Sequence, residues 1–197
     1  MRFGGARCVE TKRKVIKSGA RIVAIEDAPF SKGDKKVLAV GVVARRNAIE
    51  GILSFYVRKD GNDATKKIAR KIEHSRFMSE LKLVAINGIA MAGLNIVDII
   101  YLSKRLGMPV VAITRRKPHS ALMKKAIRAS GLDVKRKLLL IGKIQSERIA
   151  RIDGFYVQFF GAKEEEIRGM INIITENLRL AHMIASGIAR GESRGRI

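Results

Sequence analysis

The sequence predicts a mixed α/β fold, a five-stranded sheet in the order 3-2-1-4-5 flanked by helices. Three observations lead there. Three apolar, strand-length runs follow one another with short polar connections, the chain after them alternates strand and helix periods, and each helical segment carries one apolar side. A meander of three strands followed by right-handed strand-helix-strand crossovers brings the fourth strand back beside the first, parallel to it.

Residues 1–20 show neither period nor turn chemistry but contain Arg2, Arg7, Lys12, Arg13, Lys14 and Lys17, so they read as a basic arm before one domain at 21–197. Arg21 to Glu26 (RIVAIE) is a nearly continuous apolar run stopped by acids and Pro29, as a buried central strand would be. Lys36 to Ala44 and Ile49 to Arg58 are the second and third strands, paired through the turn Arg45-Arg46-Asn47. Asp60-Gly61-Asn62-Asp63 stops the third and offers Asp63 as N-cap of a helix over Ala64 to Arg76. There Ala64, Ile68, Ala69 and Ile72 share a side opposite Lys66 and Arg70. Leu81 to Ile86 is the fourth strand, Asn87 to Gly93 a glycine-containing turn, Asn95 to Leu106 a helix closed by Gly107, and Pro109 to Thr114 the fifth strand. Pro118 opens a third helix whose basic side is Lys124, Lys125 and Arg128. Lys135 to Ile144 fits strand or helix, Phe155 to Phe160 reads as a strand, and Lys163 to Thr175 and Leu178 to Ala189 read as helices before a polar, glycine-spaced tail.

Composition narrows the function. Among 197 residues, 40 are Lys or Arg and 18 are Asp or Glu, a formal charge of +22 that repels itself unless a polyanion is near. DNA or RNA is therefore the expected partner, bound mainly through phosphates. The aromatic fraction is only 5% with no Trp, which leaves little beyond Tyr56, Tyr101 and Tyr156 for stacking bases. The longest clean apolar run, Leu38 to Ala44, is far short of the roughly 20 residues of a membrane span, so no membrane role is expected. No secretory signal is visible, and the lone Cys8 forms neither an internal disulfide nor a zinc framework, which points to the cytoplasm.

Neighbouring strands lie about 5 Å apart, so the ends of the first and fourth would place Glu26 and Asp27 beside Asn87 in one crevice. Two carboxylates after a buried strand are costly unless they cap, pair or bind a cation. The structural alternative has Asp27 starting a turn with Pro29 and Glu26 pairing with Arg21 or Lys36. Asp60 and Asp63 could reach the same crevice, although a turn and an N-cap account for both, and Asp98 near a helix start is favourable without a ligand. His182 falls within the stripe Leu178, Ala181, Ala185 and Ala189, where a core histidine is the default. NGIAMAGLN (Asn87 to Asn95) contains no Walker lysine and no GxGxxG; Gly88 and Gly93 would let another backbone or a substrate strand come close. The tail SGIARGESRGR (Ser186 to Arg196) has the Gly, Ser and Arg that wrap phosphates. No spacing suggests a Ser-His-Asp triad.

The strand order is the ribonuclease H-like arrangement. The segments AIEDAPF (Ala24 to Phe30), EGILS (Glu50 to Ser54), DGNDATKKI (Asp60 to Ile68), SRF (Ser75 to Phe77), NGIAMAGLNIVDI (Asn87 to Ile99), RRKP (Arg115 to Pro118) and AHMIASGIARGESRGR (Ala181 to Arg196) resemble, in matching order, the archaeal endonuclease dU family. That family is similar to endonuclease V, which has a ribonuclease H-like fold and uses divalent metal to cut a strand near a deaminated base. The resemblance implies an endonuclease V-like domain acting at uracil or hypoxanthine with Mg2+ or Mn2+ in a weak site. Glu26, Asp27, Asp63 and Asn87 would be the metal residues and Glu26, Asp27 and His182 the catalytic ones. Arg115, Arg116, Lys117, Arg190 and Arg194 would grip phosphates. Glu26 stands where relatives usually carry Asp, Asn87 stands where endonuclease V carries a metal-binding Asp, and no counterpart of the endonuclease V wedge is visible. The other reading is a nucleic-acid-binding protein of the same ancestry with a degraded metal site, and a homodimer is compatible with either.

Overall fold

The computed structural model describes residues 16, 19–46, 48–145 and 149–193. Apart from Ile16, Gly19 and Ala20, the predicted basic arm lies outside them, as does Arg194. Three strands open the fold: β1 (Arg21–Asp27), β2 (Lys36–Arg45) and β3 (Ala48–Arg58). After α1 (Ala64–Glu73) come β4 (Leu81–Asn87), a small hairpin of β5 (Ala90–Met91) and β6 (Asn95–Ile96), α2 (Ile99–Leu106) and β7 (Val110–Thr114). The last part is α3 (Ser120–Ser130), α4 (Val134–Gln145), β8 (Ile149–Ile152), β9 (Phe155–Phe160), α5 (Glu164–Arg168) and α6 (Ile171–Arg190).

The main sheet runs β3-β2-β1-β4-β7-β9-β8. Its first five strands are the predicted order, with β1 parallel to β4 and β4 parallel to β7. Two antiparallel strands extend it beyond the five expected, because β9 pairs with β7 and β8 with β9. The ambiguous Lys135 to Ile144 is helical, with Ile141 and Ile144 buried one turn apart. The predicted helix from Asn95 starts instead at Ile99, because Asn95 and Ile96 pair with Met91 and Ala90 and Asp98 accepts the Tyr101 N–H as the cap. The break predicted between Thr175 and Leu178 falls at Gly169 and Met170, so α6 runs unbroken for 20 residues.

Helices cover both faces of the sheet. The face built from Val23, Ile25, Val84 and Ile86 packs on α1 through Ile68 and Ile72 and on α2 through Ile99 and Leu102. The other face, with Ile22, Ala24, Leu83 and Ala85, packs on α5 and α6 through Ile167, Ile171, Ile174 and Leu178. Each fully buried Val, Leu or Ile among these contributes on the order of 2 kcal/mol. Among the described residues no helix is long and apolar enough to cross a membrane.

The short hairpin is locked to the sheet end by polar contacts. Asp60 donates its N–H to the Ala92 carbonyl and accepts the Leu94 N–H on its carboxylate. The ammonium of Lys137, almost fully buried, donates to the Asp60 carbonyl at 2.6 Å, and burial pushes its pKa down. Gly93 has φ +86°, and a Cβ there would stand 2.3 Å from Asp60 Oδ1. The close approach expected of this glycine is thus made by the Asp60 side chain. Gly93→Ala is expected to cost about 2 kcal/mol, from strain at positive φ and displacement of Asp60. Thermal unfolding followed by circular dichroism should show a melting temperature lower by roughly 4 to 8 °C.

Candidate functional site

The C-terminal ends of β1 and β4 lie side by side, with Ile25 in register with Ile86. Because side chains alternate along a strand, Glu26 continues the Ile22–Ala24 face and Asp27 the Val23–Ile25 face. Glu26 therefore points toward α6, where Asn87 Nδ2 donates to its Oε1 at 2.9 Å and His182 Nδ1 stands 3.5 Å from the same oxygen. His182 Nε2 lies 3.3 Å from the Ser186 hydroxyl, one helical turn on. Glu26 is 7% exposed, and its second oxygen, Oε2, is buried without a hydrogen-bond partner. A buried, unsatisfied carboxylate oxygen costs several kcal/mol as an anion, and a proton or a cation relieves that cost.

The electrostatics follow from this burial. Desolvation raises the Glu26 pKa against the opposing effect of His182 and Asn87, with Asp27 adding to the rise. The bond to Glu26 raises the His182 pKa, while burial and the nearby Arg190 charge oppose it. Both folded-state values exceed the unfolded ones, so both groups contribute stability at low pH that is lost as pH rises. For Glu26 the loss begins above its ordinary value of 4.5 and for His182 above 6.5. Glu50, Asp63 and Glu73 have lowered values and act in the opposite sense, losing stability as pH falls below the ordinary carboxylate range. Thermal melts should therefore show an optimum in the mildly acidic range and a decline as pH rises past the ordinary imidazole range. Glu26→Gln should flatten that decline.

The structure separates the two carboxylates expected to share the crevice. Asp27 turns to the opposite face, where its Oδ2 accepts the Ala92 N–H at 2.9 Å and holds the β5–β6 hairpin. Asp63 is also engaged on that face. It occupies the N-cap position of α1 without a side-chain cap bond, and its Oδ1 accepts from Arg58 N–H and from Asn95 Nδ2. Asn95, fully buried, caps α1 instead by accepting the Ala64 N–H. Arg21 binds Glu50 and Glu80 at the far end of β1, so it is not the partner of Glu26. Arg115, Arg116 and Lys117 follow β7 at the same sheet end as the crevice, and Arg190 closes α6 beyond His182. Sequence reasoning missed Ser186 as a partner of His182; the spacing of four on a helix was the available signal. It also missed Phe155, over which Arg115 lies at 5.7 Å. Among the described residues, no group of three or more His, Cys, Asp and Glu side chains is placed to hold a metal ion.

The sequence profile of the family described as endonuclease dU matches residues 18–189. This chain belongs to the endonuclease dU family. Relatives named UPF0215 proteins include one from Methanothermobacter thermautotrophicus, 37% identical over 91% of this chain and 93% of its own length. Another, from Thermococcus sibiricus, is 35% identical over 91% of this chain and 97% of its own. A crystal structure of a protein of unknown function from Archaeoglobus fulgidus is 28% identical, with a TM-score of 0.77 over 86% of this chain and 98% of that one. Human endonuclease V superimposes with a TM-score of 0.50 at 12% identity over 85% of this chain and 83% of that one. The endonuclease dU family member therefore shares the ribonuclease H-like fold of endonuclease V, in keeping with the order of its first five strands.

Proposed function

We propose that this endonuclease dU family member is a divalent-metal-dependent endonuclease that cuts DNA or RNA at deaminated bases, uracil or hypoxanthine. The carrying observation is the buried, unpartnered Glu26 Oε2 at the joined ends of β1 and β4, beside Asn87 and His182. These residues fit a hard cation. Mg2+ is commonly held by one or two carboxylates, with waters and substrate phosphates completing its shell. Glu26 would be the anionic ligand and Asn87 Oδ1 a neutral one, since the Asn87 nitrogen is committed to Glu26. Bound there, the ion would supply Lewis-acid activation of water and stabilise charge developing at phosphorus.

The chain's own groups do the remaining work. The contact with Glu26 favours the protonated form of His182, which would donate that proton to the leaving oxygen. Ser186 and Glu26 hold the imidazole from its two nitrogens. Asp27 serves from the other face by fixing the hairpin through Ala92. Arg115, Arg116, Lys117 and Arg190 supply phosphate contacts around the crevice.

The test is cleavage of single- and double-stranded oligonucleotides containing one uracil or one hypoxanthine, with Mg2+, Mn2+ or EDTA. Metal-dependent scission near the altered base supports the reading. Asn87 is neutral and Asp27 faces away, leaving one carboxylate on this face, and that favours a second reading as a binding protein without catalysis. Absence of scission on every substrate, together with flat manganese calorimetry, would select the second.

A further inference from the structure

β3 is the outermost strand of the main sheet at the end opposite β8, and among the described residues no strand pairs with its free side. Its register with β2 is irregular only at Val43 and Ala44, so Gly51 to Arg58 form a regular ladder. Exposed edges are normally guarded by Pro, Lys or a covering element, because their open backbone templates pairing with another chain. Neither Pro nor Lys occurs in β3, and its charged residues, Glu50 and Arg58, stand near its ends.

The backbone groups that face outward can be assigned. In an antiparallel pair a residue turns its N–H and its C=O to the same side, and successive residues alternate. The Tyr56 carbonyl accepts the Lys67 ammonium and the Arg58 N–H is taken by Asp63, so both residues face away from β2. Ile52 and Ser54 share that orientation, and each offers one donor and one acceptor to a new strand.

The two faces of this edge differ in chemistry. On the α6 side, Ile49, Ile52 and Tyr56 stand opposite Ala44, Val42 and Leu38 of β2. Helix α6 covers Val42 and Ala44 through Ala181 but leaves the three β3 side chains 49, 53 and 56% exposed. On the α1 side, Lys67, Arg70, Lys71 and His74 line an open groove beside Phe55. A strand added beyond β3 would present alternate side chains to these faces, one set to an apolar strip and the other to a row of cations. A second copy of this chain fits poorly. A twofold axis across the edge would bring two cationic rows together, in molecules that each carry a charge of +22. We infer that β3 takes up an extended peptide in which apolar and acidic residues alternate, its backbone pairing with Ile52 and Ser54 and its carboxylates lying along Lys67, Arg70 and Lys71. The edge stands two strands away from β1 and the Glu26 crevice, so this binding does not depend on cleavage of nucleic acid.

Fluorescence anisotropy would compare three labelled peptides of about eight residues, the span from Gly51 to Arg58. One alternates Val and Glu, one has the same residues in two blocks, and one alternates Val and Lys. The alternating acidic peptide should bind about tenfold tighter than either of the others. Hydrogen exchange should show the Ile52 and Ser54 amides newly protected when it binds. Ser54→Pro deletes one outward donor at a position where an edge strand tolerates proline. Arg70→Glu combined with Lys71→Glu reverses part of the cationic row. Either change should remove the preference for alternation. The exchange measurement uses the native protein alone and decides the matter even where a variant fails to fold. Equal binding of the two acidic peptides would reduce the effect to bulk charge and overturn the inference, as would protection confined to residues outside β3. Dimerisation of the protein by itself that Ser54→Pro abolishes would assign the edge to a second copy. A single-stranded oligonucleotide that protects the same two amides would assign it to nucleic acid. Either of these results also overturns it.

Discussion

Glu26→Gln is expected to lower cleavage by about 10² to 10⁴-fold while leaving the protein at least as resistant to heat as the native form near pH 8. The two outcomes have one cause. Glu26 is buried with Oε2 unpartnered, so its ionised form is the costly one, and a neutral amide of the same shape avoids most of that cost. The amide oxygen can still accept the Asn87 Nδ2–H, so packing at the strand ends is preserved. What disappears is the charge. With it go the anionic ligand for a cation and the partner that raises the His182 pKa. The pH dependence of any residual activity should accordingly shift to lower values. Manganese calorimetry, a melting curve and a cleavage assay on one preparation check the set. Undiminished cleavage would remove Glu26 from the reaction, and a melting temperature well below native would trace lost activity to lost structure.

Sheet order was legible because it follows from connections. Three successive strands must meander, and each strand-helix-strand unit must cross over with one hand, so β3-β2-β1-β4-β7 emerges from element order. The adjacency of Glu26 and Asn87 follows directly, as both stand at the ends of buried apolar runs on parallel neighbours. Strands β8 and β9 were harder to place. β9 adds antiparallel to β7 and β8 to β9, and the chain reaches them from β7 only after α3 and α4, a connection for which no handedness rule chooses an edge; β8 is four residues with only alternate burial. His182 was placed correctly on the inward side of α6, but an apolar stripe does not reveal which group it meets. It meets Glu26. The divergence of Asp27 was written in the alternation of β1, which continues one residue past the run that the sequence suggests. The role of Asn95 was not legible. It caps α1 and holds Asp63 from about 30 residues away, a contact that only the hairpin's position creates.

Asn87→Asp should produce the opposite pattern to Glu26→Gln, a less stable protein that manganese restores. In the native protein Asn87 donates to Glu26 Oε1 at 2.9 Å, so the pair is attractive. An aspartate there removes the donor and sets two carboxylates within hydrogen-bond reach, where they cannot both ionise without cost. The metal-free variant should lose roughly 1 to 3 kcal/mol at neutral pH, with the loss shrinking in acid as the pair takes up a proton. A divalent ion reverses the sign of that interaction, because two carboxylates that repel each other both attract the cation. Manganese should then bind at least about tenfold more tightly than to the native protein and raise the melting temperature further, since a ligand that binds only the folded state stabilises it in proportion to its affinity. Cleavage should rise with occupancy wherever the neutral amide limits the native site. A variant that stays destabilised at millimolar manganese and binds it no better would show that the pocket between β1 and β4 is closed to cations, and the nuclease reading would fall with it.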